Sequence, residues 1–263
     1  MKVSLIGAGN LATHLGKALA DAGNMIEQVY SRTMQSAARL ASLLGCEAHD
    51  DINKIKMNSD LYVLSVSDDV LPELVPLVCN DRCDSIFIHT AGSIPIDVFH
   101  GYANRYGVIY PMQTFSKDKP LYFREIPCFI EASDDDTLRV LQTLCREISD
   151  KVIPLSSEDR KYLHLAAVFA SNFVNHCYNV AAHIIRQHNI PFEYMYPLID
   201  EVALKVHDMS PYDAQTGPAV RNDRNVIDKQ LALLSDKPEF MAIYDIMSKG
   251  IYEIRKNNDR LRS

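Results

Sequence analysis

The feature that most constrains the fold lies in the first dozen residues, where a short apolar run meets a glycine-rich turn. Val3–Ile6 has the pattern of a β-strand, and a helical pattern begins at Leu11. The turn that joins them is Gly7-Ala8-Gly9-Asn10-Leu11-Ala12, a G-x-G-x-x-A sequence. A turn of this kind between a first strand and a first helix predicts a Rossmann domain with a bound dinucleotide.

Each small residue of this turn has a physical role in that prediction. Gly7 permits the tight bend, Gly9 lets a diphosphate approach the backbone, and Ala12 lets the helix pack closely on the strand. The amides of the first helical turn, which includes Asn10 and Leu11, offer hydrogen bonds and a partial positive charge to the phosphates. We therefore expect these five residues to form part of the cofactor site; the alternative is a purely structural glycine turn.

The end of the second predicted strand, Met25–Tyr30, indicates which dinucleotide is bound. An NAD site usually has a carboxylate there, which binds the ribose hydroxyls. This chain has Ser31, Arg32 and Thr33 instead. The hydroxyls can donate hydrogen bonds, and the guanidinium of Arg32 can pair with a 2′-phosphate or stack on adenine. The pattern favours NADP(H) over NAD, although Arg32 could also be a solvated residue that begins a surface helix.

Two further loops follow the predicted strands Leu61–Val66 and Ser85–His89. Ligands of open α/β sheets bind beyond the carboxyl ends of the strands, so both loops should border the nicotinamide. The cofactor residues expected in these loops are Ser65, Val66, Ser67, Thr90 and Gly92. Ser67 and Asp68 could also cap the helix predicted over Val70–Val78.

Strand and helix patterns alternate up to about residue 155, which predicts βαβ units, a parallel sheet and an α/β fold. The remaining predicted strands are Gly107–Tyr110, Cys128–Glu131 and Lys151–Leu155, and the remaining predicted helices of this part are Thr33–Leu44 and Asp134–Ser149. After residue 155 the patterns are helical only. The predicted helices there run from Ser156 to about His188 and over Phe192–His207, Pro218–Leu234 and Glu239–Lys256. We therefore predict a Rossmann domain over residues 1–155 and an all-α domain over residues 156–263.

The first helix of the second domain carries an unusual apolar pattern, because Leu165–Ala170 is apolar on every side. A helix without a polar face must be buried all round. A helical domain of only about a hundred residues has too little of its own structure to cover such a helix. A second copy of the chain would cover it, so we predict a homodimer through this domain.

Composition and charge argue against several other classes of protein. A formal net charge of -7 disfavours general attraction to nucleic acid or to an anionic membrane. The segment Met1–Ile6 lacks the apolar stretch of an export signal, and no apolar run is long enough to span a bilayer, so we expect a cytoplasmic protein. The six cysteines follow no paired pattern. We expect reduced thiols and no metal, with a zinc site near Cys79 and Cys83 as the alternative.

Six motifs spread over nearly the whole chain carry a family resemblance. They are the opening turn, Ser31-Arg32-Thr33, His89–Ser93, Tyr110–Phe115, His164 with Ser171-Asn172, and Thr216–Asp223. Together they resemble a bacterial family that joins a Rossmann-like domain to a domain of unknown function, DUF2520. Its members are described as NADP oxidoreductases and are similar to pyrroline-5-carboxylate reductase, prephenate dehydrogenase and the 6-phosphogluconate dehydrogenase/β-hydroxyacid dehydrogenase group.

The resemblance implies a C-terminal domain of the 6-phosphogluconate dehydrogenase type, which binds substrate and dimerises. It also implies hydride transfer to or from a small carbonyl, hydroxy or imino acid. In the β-hydroxyacid dehydrogenases, a lysine precedes an asparagine by four residues on the long helix. Here Asn172 takes the place of the asparagine, but Val168 takes the place of the lysine.

His164 is the candidate that remains for proton transfer on this helix. An imidazole can exchange a proton near neutral pH, and His164 and Asn172 lie on the same helical stripe as Val168. We expect His164 to donate the proton that accompanies hydride transfer, and Asn172 to orient the carbonyl. The alternative is that His164 binds a backbone carbonyl and Asn172 braces a neighbouring helix. His176, further along the stripe, is interpreted as structural or interfacial.

The sequence leaves alternatives open for the role of Arg221 and for the function of the protein. Arg221 could hold a substrate carboxylate by two parallel hydrogen bonds, or it could pair with Asp223 or contact the second copy. The missing lysine favours a rival function, a non-catalytic dimer that senses NADP. Among enzymes, the alternatives are activities like those of pyrroline-5-carboxylate reductase or prephenate dehydrogenase.

Overall fold

The structure, a computed structural model, describes residues 1–82 and 84–262, with side chains up to residue 258. By its internal contacts the chain divides into two compact units, Met1–Phe173 and Val174–Ser263. The first unit contains the whole β-sheet. In the second unit, the described residues form helices and turns without a strand.

The first unit is built on an eight-stranded sheet in the order β3-β2-β1-β4-β5-β6-β7-β8. The strands are β1 Lys2–Ile6, β2 Met25–Tyr30, β3 Glu47–His49, β4 Leu61–Leu64, β5 Ile86–His89, β6 Arg105–Pro111, β7 Cys128–Ala132 and β8 Val152–Pro154. Neighbouring strands are parallel except for β6 and β7, which are antiparallel. The predicted α/β fold with a mostly parallel sheet is confirmed.

The strand order reverses direction between β1 and β4, which lie side by side although two strands separate them in sequence. In open α/β sheets a crevice forms at such a switch point, outside the carboxyl ends of the strands. The opening turn after β1 and Ser65 after β4 therefore share one edge of the sheet. This position is what brings the predicted cofactor loops together.

Helices cover both faces of the sheet. They are α1 Asn10–Asp21, α2 Met34–Leu44, α3 Leu71–Cys79, α4 Asp135–Ile148 and α5 Ser157–Ala167. Because successive side chains of a strand point to opposite faces, Leu5 packs in the core layer that contains Leu15 and Leu141, whereas Ile6 packs in the layer that contains Val75. The core is thus divided between two layers, one on each side of the sheet.

Helix starts in this unit are capped by a side chain in one case and not in another. Asp134 caps α4, since its carboxylate accepts from the amide of Thr137 at 2.8 Å. The possible cap of α3 by Ser67 and Asp68 is wrong, because the helix begins at Leu71 and its cap position, Val70, makes no side-chain hydrogen bond. Asp68 instead accepts a hydrogen bond from the hydroxyl of Ser93.

The long helix predicted from Ser156 is interrupted. Ser156, where the predicted helix starts, caps α5 by accepting from the amide of Asp159 at 3.1 Å. A π-helical segment, Val168–Phe173, then follows α5 and ends the first unit. The sheet ends at Pro154, next to the boundary predicted at residue 155, but the compact unit continues through α5. Arg160 explains this difference, because its guanidinium pairs with the Glu131 carboxylate on β7 at 2.6 Å.

The second unit contains five α-helices in its described part. They are α6 Val174–Arg186, α7 Tyr196–Asp208, α8 Pro211–Ala214, α9 Arg224–Ala232 and α10 Pro238–Arg262. The helix predicted over Pro218–Leu234 is split, because Asn222 adopts a left-handed backbone conformation with φ of 52°. Asp223 then starts α9 by accepting from the amide of Val226. The predicted all-α second domain is confirmed.

The sequence analysis expected no membrane-spanning helix and no metal site, and both expectations can be compared with the described part of the chain. There, no helix is both long enough and apolar enough to span a membrane, and no group of three or more His, Cys, Asp or Glu side chains could bind a metal ion. Cys83 lies outside the described residues.

Burial raises the pKa of the Cys46 thiol to about 11 and that of Cys79 to about 12, which keeps both thiols protonated at neutral pH.

Candidate active site

The opening turn is held between the ends of two strands. The Gly7 amide donates to the Tyr30 carbonyl of β2 at 2.8 Å, and the Ser65 amide donates to the Ile6 carbonyl of β1 at 2.8 Å. Gly7 has φ of 115°, and a Cβ at this position would overlap the carbonyl oxygen of Ser65. Glycine is therefore required here both by the backbone conformation and by the close approach of β4.

The start of α1 is open to a ligand. Gly9 occupies the cap position, no side chain caps the helix, and its first turn contains no acidic residue. A Cβ at Gly9 would meet no heavy atom within 4 Å, so the space in front of this turn is free. Asn10 is fixed by its side-chain amide, which donates to the Phe115 carbonyl at 2.8 Å. Free amides and free space together fit the diphosphate of a dinucleotide.

A cavity of about 540 Å³ extends along this edge of the sheet. The predicted cofactor residues that line it are Gly7, Gly9, Asn10, Leu11, Ser31, Arg32, Ser65, Val66, Ser67, Thr90 and Gly92. Residues from the ends of β1, β2, β4 and β5 thus meet in one cavity, as expected from the switch point. Tyr110 and His164 also line it.

Two predicted cofactor residues lie outside this lining. Ala12 is fully buried in the core, where its small side chain allows α1 to pack on the sheet. Thr33 caps α2, and its hydroxyl oxygen accepts from the amide of Ser36 at 3.4 Å. Ser36 lines the cavity instead and lies one helical turn after Thr33. Sequence reasoning missed Ser36. The usable signal is a hydroxyl in the first turn of the helix that follows the strand end where the ribose is predicted to bind.

Arg32 lines the cavity, and its guanidinium is in no ion pair with a described carboxylate. Its side chain is exposed, and no described carboxylate lies within the 4 Å range of an ion pair. Arg39, which lies within α2, is different because its guanidinium pairs with Asp118 at 3.3 Å. The free guanidinium of Arg32 therefore fits the 2′-phosphate that distinguishes NADP from NAD.

The loops after β4 and β5 are tied to each other beside the cavity. The Thr90 hydroxyl donates to the Ser65 hydroxyl at 3.1 Å, and the Ser93 hydroxyl donates to the Asp68 carboxylate. These bonds cross between adjacent strands that end at the same edge. They hold the two predicted nicotinamide loops in a fixed arrangement.

A second cavity of about 610 Å³ lies on the other side of Tyr110 and His164. Its lining is mostly apolar and contains no Asp, Glu, Lys or Arg. The lining residues are Tyr110, Met112, Gln113, Thr114, Leu163, His164, Ala166, Ala167, Val168, Ala170, Ser171 and Asn172. The π-helical segment contributes Val168 and Asn172, and π-turns of this kind often occur at functional sites. The two predicted catalytic residues, His164 and Asn172, thus line the same cavity.

Comparison with known proteins identifies the family. Residues 126–251 match the model of DUF2520, a domain of unknown function, and residues 1–112 match that of a Rossmann-like domain. The crystal structure of a putative NADP oxidoreductase from Bacteroides fragilis is 46% identical, with 96% of this chain and 98% of that chain covered and a TM-score of 0.93. This chain belongs to the Rossmann-like/DUF2520 family. The resemblance to this family that the sequence motifs indicated is confirmed.

Other solved structures share the fold of this family. A protein from Thermotoga maritima is 23% identical over 97% of this chain and 99% of its own, with a TM-score of 0.78. An imine reductase from Myxococcus stipitatus in complex with NADP+ is 19% identical over 98% of this chain and 95% of its own, with a TM-score of 0.68. Among proteins with curated descriptions, none matches this chain.

A buried charge network lies behind the site of this family member. The Arg160 side chain is almost fully buried and donates to the Glu131 carboxylate, to the Ile94 carbonyl at 2.7 Å and to the Ser157 hydroxyl at 3.0 Å. His89 is fully buried, and its Nδ1 accepts from the amide of Ala91 at 3.1 Å. Burial, assisted by the positive charge of Arg160, lowers the pKa of His89 to about 3, so this imidazole is neutral.

Proposed function

We propose that this Rossmann-like/DUF2520 protein is an oxidoreductase that uses NADP(H) to transfer hydride to or from a small carbonyl, hydroxy or imino acid. The observation that carries the proposal is the first cavity. It joins the free helix start of α1 and the unpaired Arg32 at one end to polar, proton-bearing side chains at the other. The Bacteroides fragilis relative, named a putative NADP oxidoreductase, supports the same assignment.

The residues that would hold the cofactor divide by chemistry. The amides of the opening turn and of α1 would bind the diphosphate, while Ser31, Arg32 and Ser36 would bind the phosphorylated ribose. The loops after β4 and β5, through Ser65 and Thr90, would border the nicotinamide. When bound, the nicotinamide supplies hydride chemistry, and the protein supplies placement and proton transfer.

The proposed substrate site is the second cavity. His164 would exchange the proton that accompanies hydride transfer, and Asn172 would orient the carbonyl or imine. The cavity lining contains no Lys or Arg, so a substrate carboxylate would need a guanidinium or ammonium group from elsewhere. Arg221 is the candidate from sequence for that role, which stays a prediction, as does the cytoplasmic location.

We also propose that the chain acts as a homodimer through its helical domain. Leu165 and Phe169 of the apolar segment that motivated this prediction, and Phe173 just after it, are each half or more exposed on the single chain. They lie in the predicted helical domain, residues 156–263, although the structure groups them with the first compact unit. Burial of such large side chains against a second copy would stabilise the assembly.

The cofactor assignment is tested by calorimetric titration of NADPH and NADH into wild type and Arg32→Ala. Loss of the guanidinium should weaken NADPH binding about tenfold, because a charged hydrogen bond to the 2′-phosphate is lost. NADH binding should stay unchanged. Arg39→Ala, which removes an arginine outside the first cavity from the helix that follows Arg32, is the matched control and should bind both nucleotides as wild type does. Equal losses of both nucleotides in Arg32→Ala would contradict the assignment to NADP.

A second candidate function is a non-catalytic dimer that senses NADP. Val168 favours it, because this apolar residue lines the second cavity in the position where related dehydrogenases have a lysine. The two functions are separated by following NADPH absorbance with cyclohexanone, 1-pyrroline and pyruvate, which are a neutral ketone, an imine and a keto acid. Consumption of NADPH with any of them supports the enzyme. Tight NADPH binding without consumption supports the sensor.

A further inference from the structure

Tyr110 and His164 line both cavities, and no other described residue does so. Tyr110 lies in the last part of β6, and His164 lies on α5, 54 residues further along the chain. The Tyr110 hydroxyl and His164 Nδ1 are 3.0 Å apart, which is a hydrogen bond. The two rings meet edge to face, with centroids 5.9 Å apart and an interplanar angle of 74°. This pair therefore separates the proposed cofactor cavity from the proposed substrate cavity.

The ring of His164 is fixed in this position by its neighbours. It packs against the backbone of Gly92, where a Cβ would overlap the imidazole. Arg160, one helical turn before His164, anchors α5 through its buried bonds to Glu131 and to the Ile94 carbonyl. Gly92 thus has a role beyond the cofactor contact predicted from sequence, because its missing side chain leaves room for the imidazole.

We propose that Tyr110 is a catalytic residue, whose hydroxyl exchanges the proton with the oxygen or nitrogen of the reacting double bond, and that His164 acts behind it through Nδ1. This inference rests on the proposed function and assigns the proton transfer more closely. His164 Nδ1–H donates to the phenol oxygen, which leaves the tyrosine O–H free to point at the substrate.

The proton and electron balance is complete for reduction of a C=O or C=N group. As the carbon receives hydride, the π-electron pair becomes a lone pair on the oxygen or nitrogen, which takes the proton of the Tyr110 hydroxyl. The phenolate then takes the proton of His164 Nδ1. As Nδ1 gives up its proton, Nε2 takes one from solvent, so the ring keeps its charge. Exchange of the ring protons with solvent then restores the Nδ1–H tautomer, and the pair returns to its starting state after one turnover with one proton consumed.

The surroundings of Tyr110 suit a proton donor. Burial raises the pKa of Tyr110, so the phenol is protonated throughout the neutral range. The charge of Arg160 acts in the opposite direction and favours the phenolate while it exists. Met112, Leu163 and Ala167 contribute an apolar lining to the adjacent cavity, which limits competing hydrogen bonds from water.

The test compares wild type with Tyr110→Phe, which removes only the hydroxyl, and with Tyr102→Phe, which removes the hydroxyl of an exposed tyrosine in the same unit. The first readout is the side-chain 15N NMR spectrum of the NADPH-bound protein, in which His164 is assigned by the signal that His164→Asn lacks. Tyr110→Phe should shift the Nδ1 resonance of His164, and Tyr102→Phe should leave it unchanged. Gly92→Ala should shift the same resonance, because the added methyl group displaces the imidazole.

The second readout is consumption of NADPH with the compound, from cyclohexanone, 1-pyrroline and pyruvate, that wild type reduces fastest. Tyr110→Phe should lose at least about 100-fold in kcat, the usual size of a general-acid contribution. Its NADPH affinity should stay within about twofold of wild type. A thermal melt that matches wild type shows that the variant is folded.

The outcomes separate this inference from the proposed function. Wild-type turnover that persists in Tyr110→Phe, or a His164 resonance that does not respond to that change, overturns the role of Tyr110 and leaves the oxidoreductase in place. A wild-type protein that binds NADPH but consumes it with none of the three compounds overturns the enzymatic function and this inference together.

Discussion

The two units of this chain differ in how completely they bury their apolar residues. In the Rossmann unit, the central strands β1, β4 and β5 are almost entirely buried between two helix layers. In the helical unit, the buried hydrophobic residues among the described side chains are Ala219, Ile227 and Leu234. The first unit therefore has a core of its own that can hold a site rigidly, while the second has apolar surface that a partner would cover.

Helix α7 shows the open surface most clearly. Leu198, Val202 and Val206 are spaced by four residues, so they share one face of the helix. Their exposed fractions are 60%, 56% and 47%. An apolar stripe of this length on a soluble helix is typical of an interface, and the proposed second copy of the chain would bury it. We name these three residues the α7 stripe.

The largest effect on stability is expected at Gly7 of the Rossmann unit, where an added side chain would overlap the backbone. Gly7→Ala should destabilise the protein by about 4 kcal/mol, because a positive φ is strained for alanine and the added Cβ overlaps the Ser65 carbonyl. Urea denaturation followed by circular dichroism measures the change. NADPH binding should be lost in the same variant, because the turn that holds the diphosphate must move.

Gly9→Ala is the matched control for that prediction. Gly9 has φ of -75°, which alanine adopts without strain, and its Cβ would enter open space. This variant should keep wild-type stability within about 0.5 kcal/mol. If Gly9→Ala were as unstable as Gly7→Ala, the distinction between a strained and an open glycine in this turn would be wrong.

The second-largest effect is expected in the helical unit and concerns dimerisation. The double variant Leu198→Glu/Val202→Glu places two charges on the α7 stripe and should weaken dimerisation at least about 100-fold, or about 2.7 kcal/mol. Sedimentation velocity over a concentration series measures the shift from dimer to monomer. The helix itself should persist, because both changes lie on an exposed face.

Leu77→Glu provides the comparison in the Rossmann unit. Leu77 is an exposed apolar residue of α3 with no part in the proposed interface. This change should leave the sedimentation profile unaltered. A monomeric wild type, or dimerisation that is insensitive to charges on the α7 stripe, would show that the helical unit is covered in some other way.

The smallest expected effect concerns the buried histidine of the Rossmann unit. His89 has a pKa of about 3 in the folded protein, whereas an unfolded histidine has a pKa near 6.5. As pH falls below about 6.5, the unfolded chain binds a proton that the folded chain does not, so stability is lost between pH about 6.5 and about 3. At pH 5 this loss should be about 2 kcal/mol relative to pH 8.

Urea denaturation of wild type and His89→Asn at pH 8 and pH 5 isolates this contribution. The variant should lose about 2 kcal/mol less than wild type between the two pH values, whatever its stability at pH 8. His100→Asn removes an exposed imidazole from the same unit and should behave as wild type. If the stabilities of wild type and His89→Asn depended on pH in the same way, the pKa of His89 would be the same in the folded and unfolded chains, which would contradict the prediction.

The fold was predictable from sequence where local signals agree with the tertiary structure. The predicted bounds of Met25–Tyr30 match β2, and Asp134 caps its helix as its position suggested. Strand β3 was missed, because Glu47–His49 is a three-residue edge strand with no apolar run. It exists because Gln28, Val29 and Tyr30 of β2 pair with it, which is a contact that no local pattern reports.

The site was predictable to the extent that backbone chemistry determines it. Gly7 and Gly9 are recognisable because a strand, a tight turn and a helix start follow one another in sequence. His164 was identified from its place on a helical stripe. Tyr110, although part of a recognised motif, could not be paired with His164, because only the docking of α5 on the sheet brings the two side chains together.

We propose that the amides of the opening turn hold the diphosphate of NADP(H). Calorimetric titration of NADPH into wild type and Gly9→Ala tests this binding most directly. We predict one NADPH bound per chain by wild type, tighter than NADH, and binding weakened at least about tenfold in Gly9→Ala, whose methyl group would stand in the path of the diphosphate. Wild-type protein that binds neither nucleotide, or a folded Gly9→Ala that binds NADPH as tightly as wild type, would contradict the account.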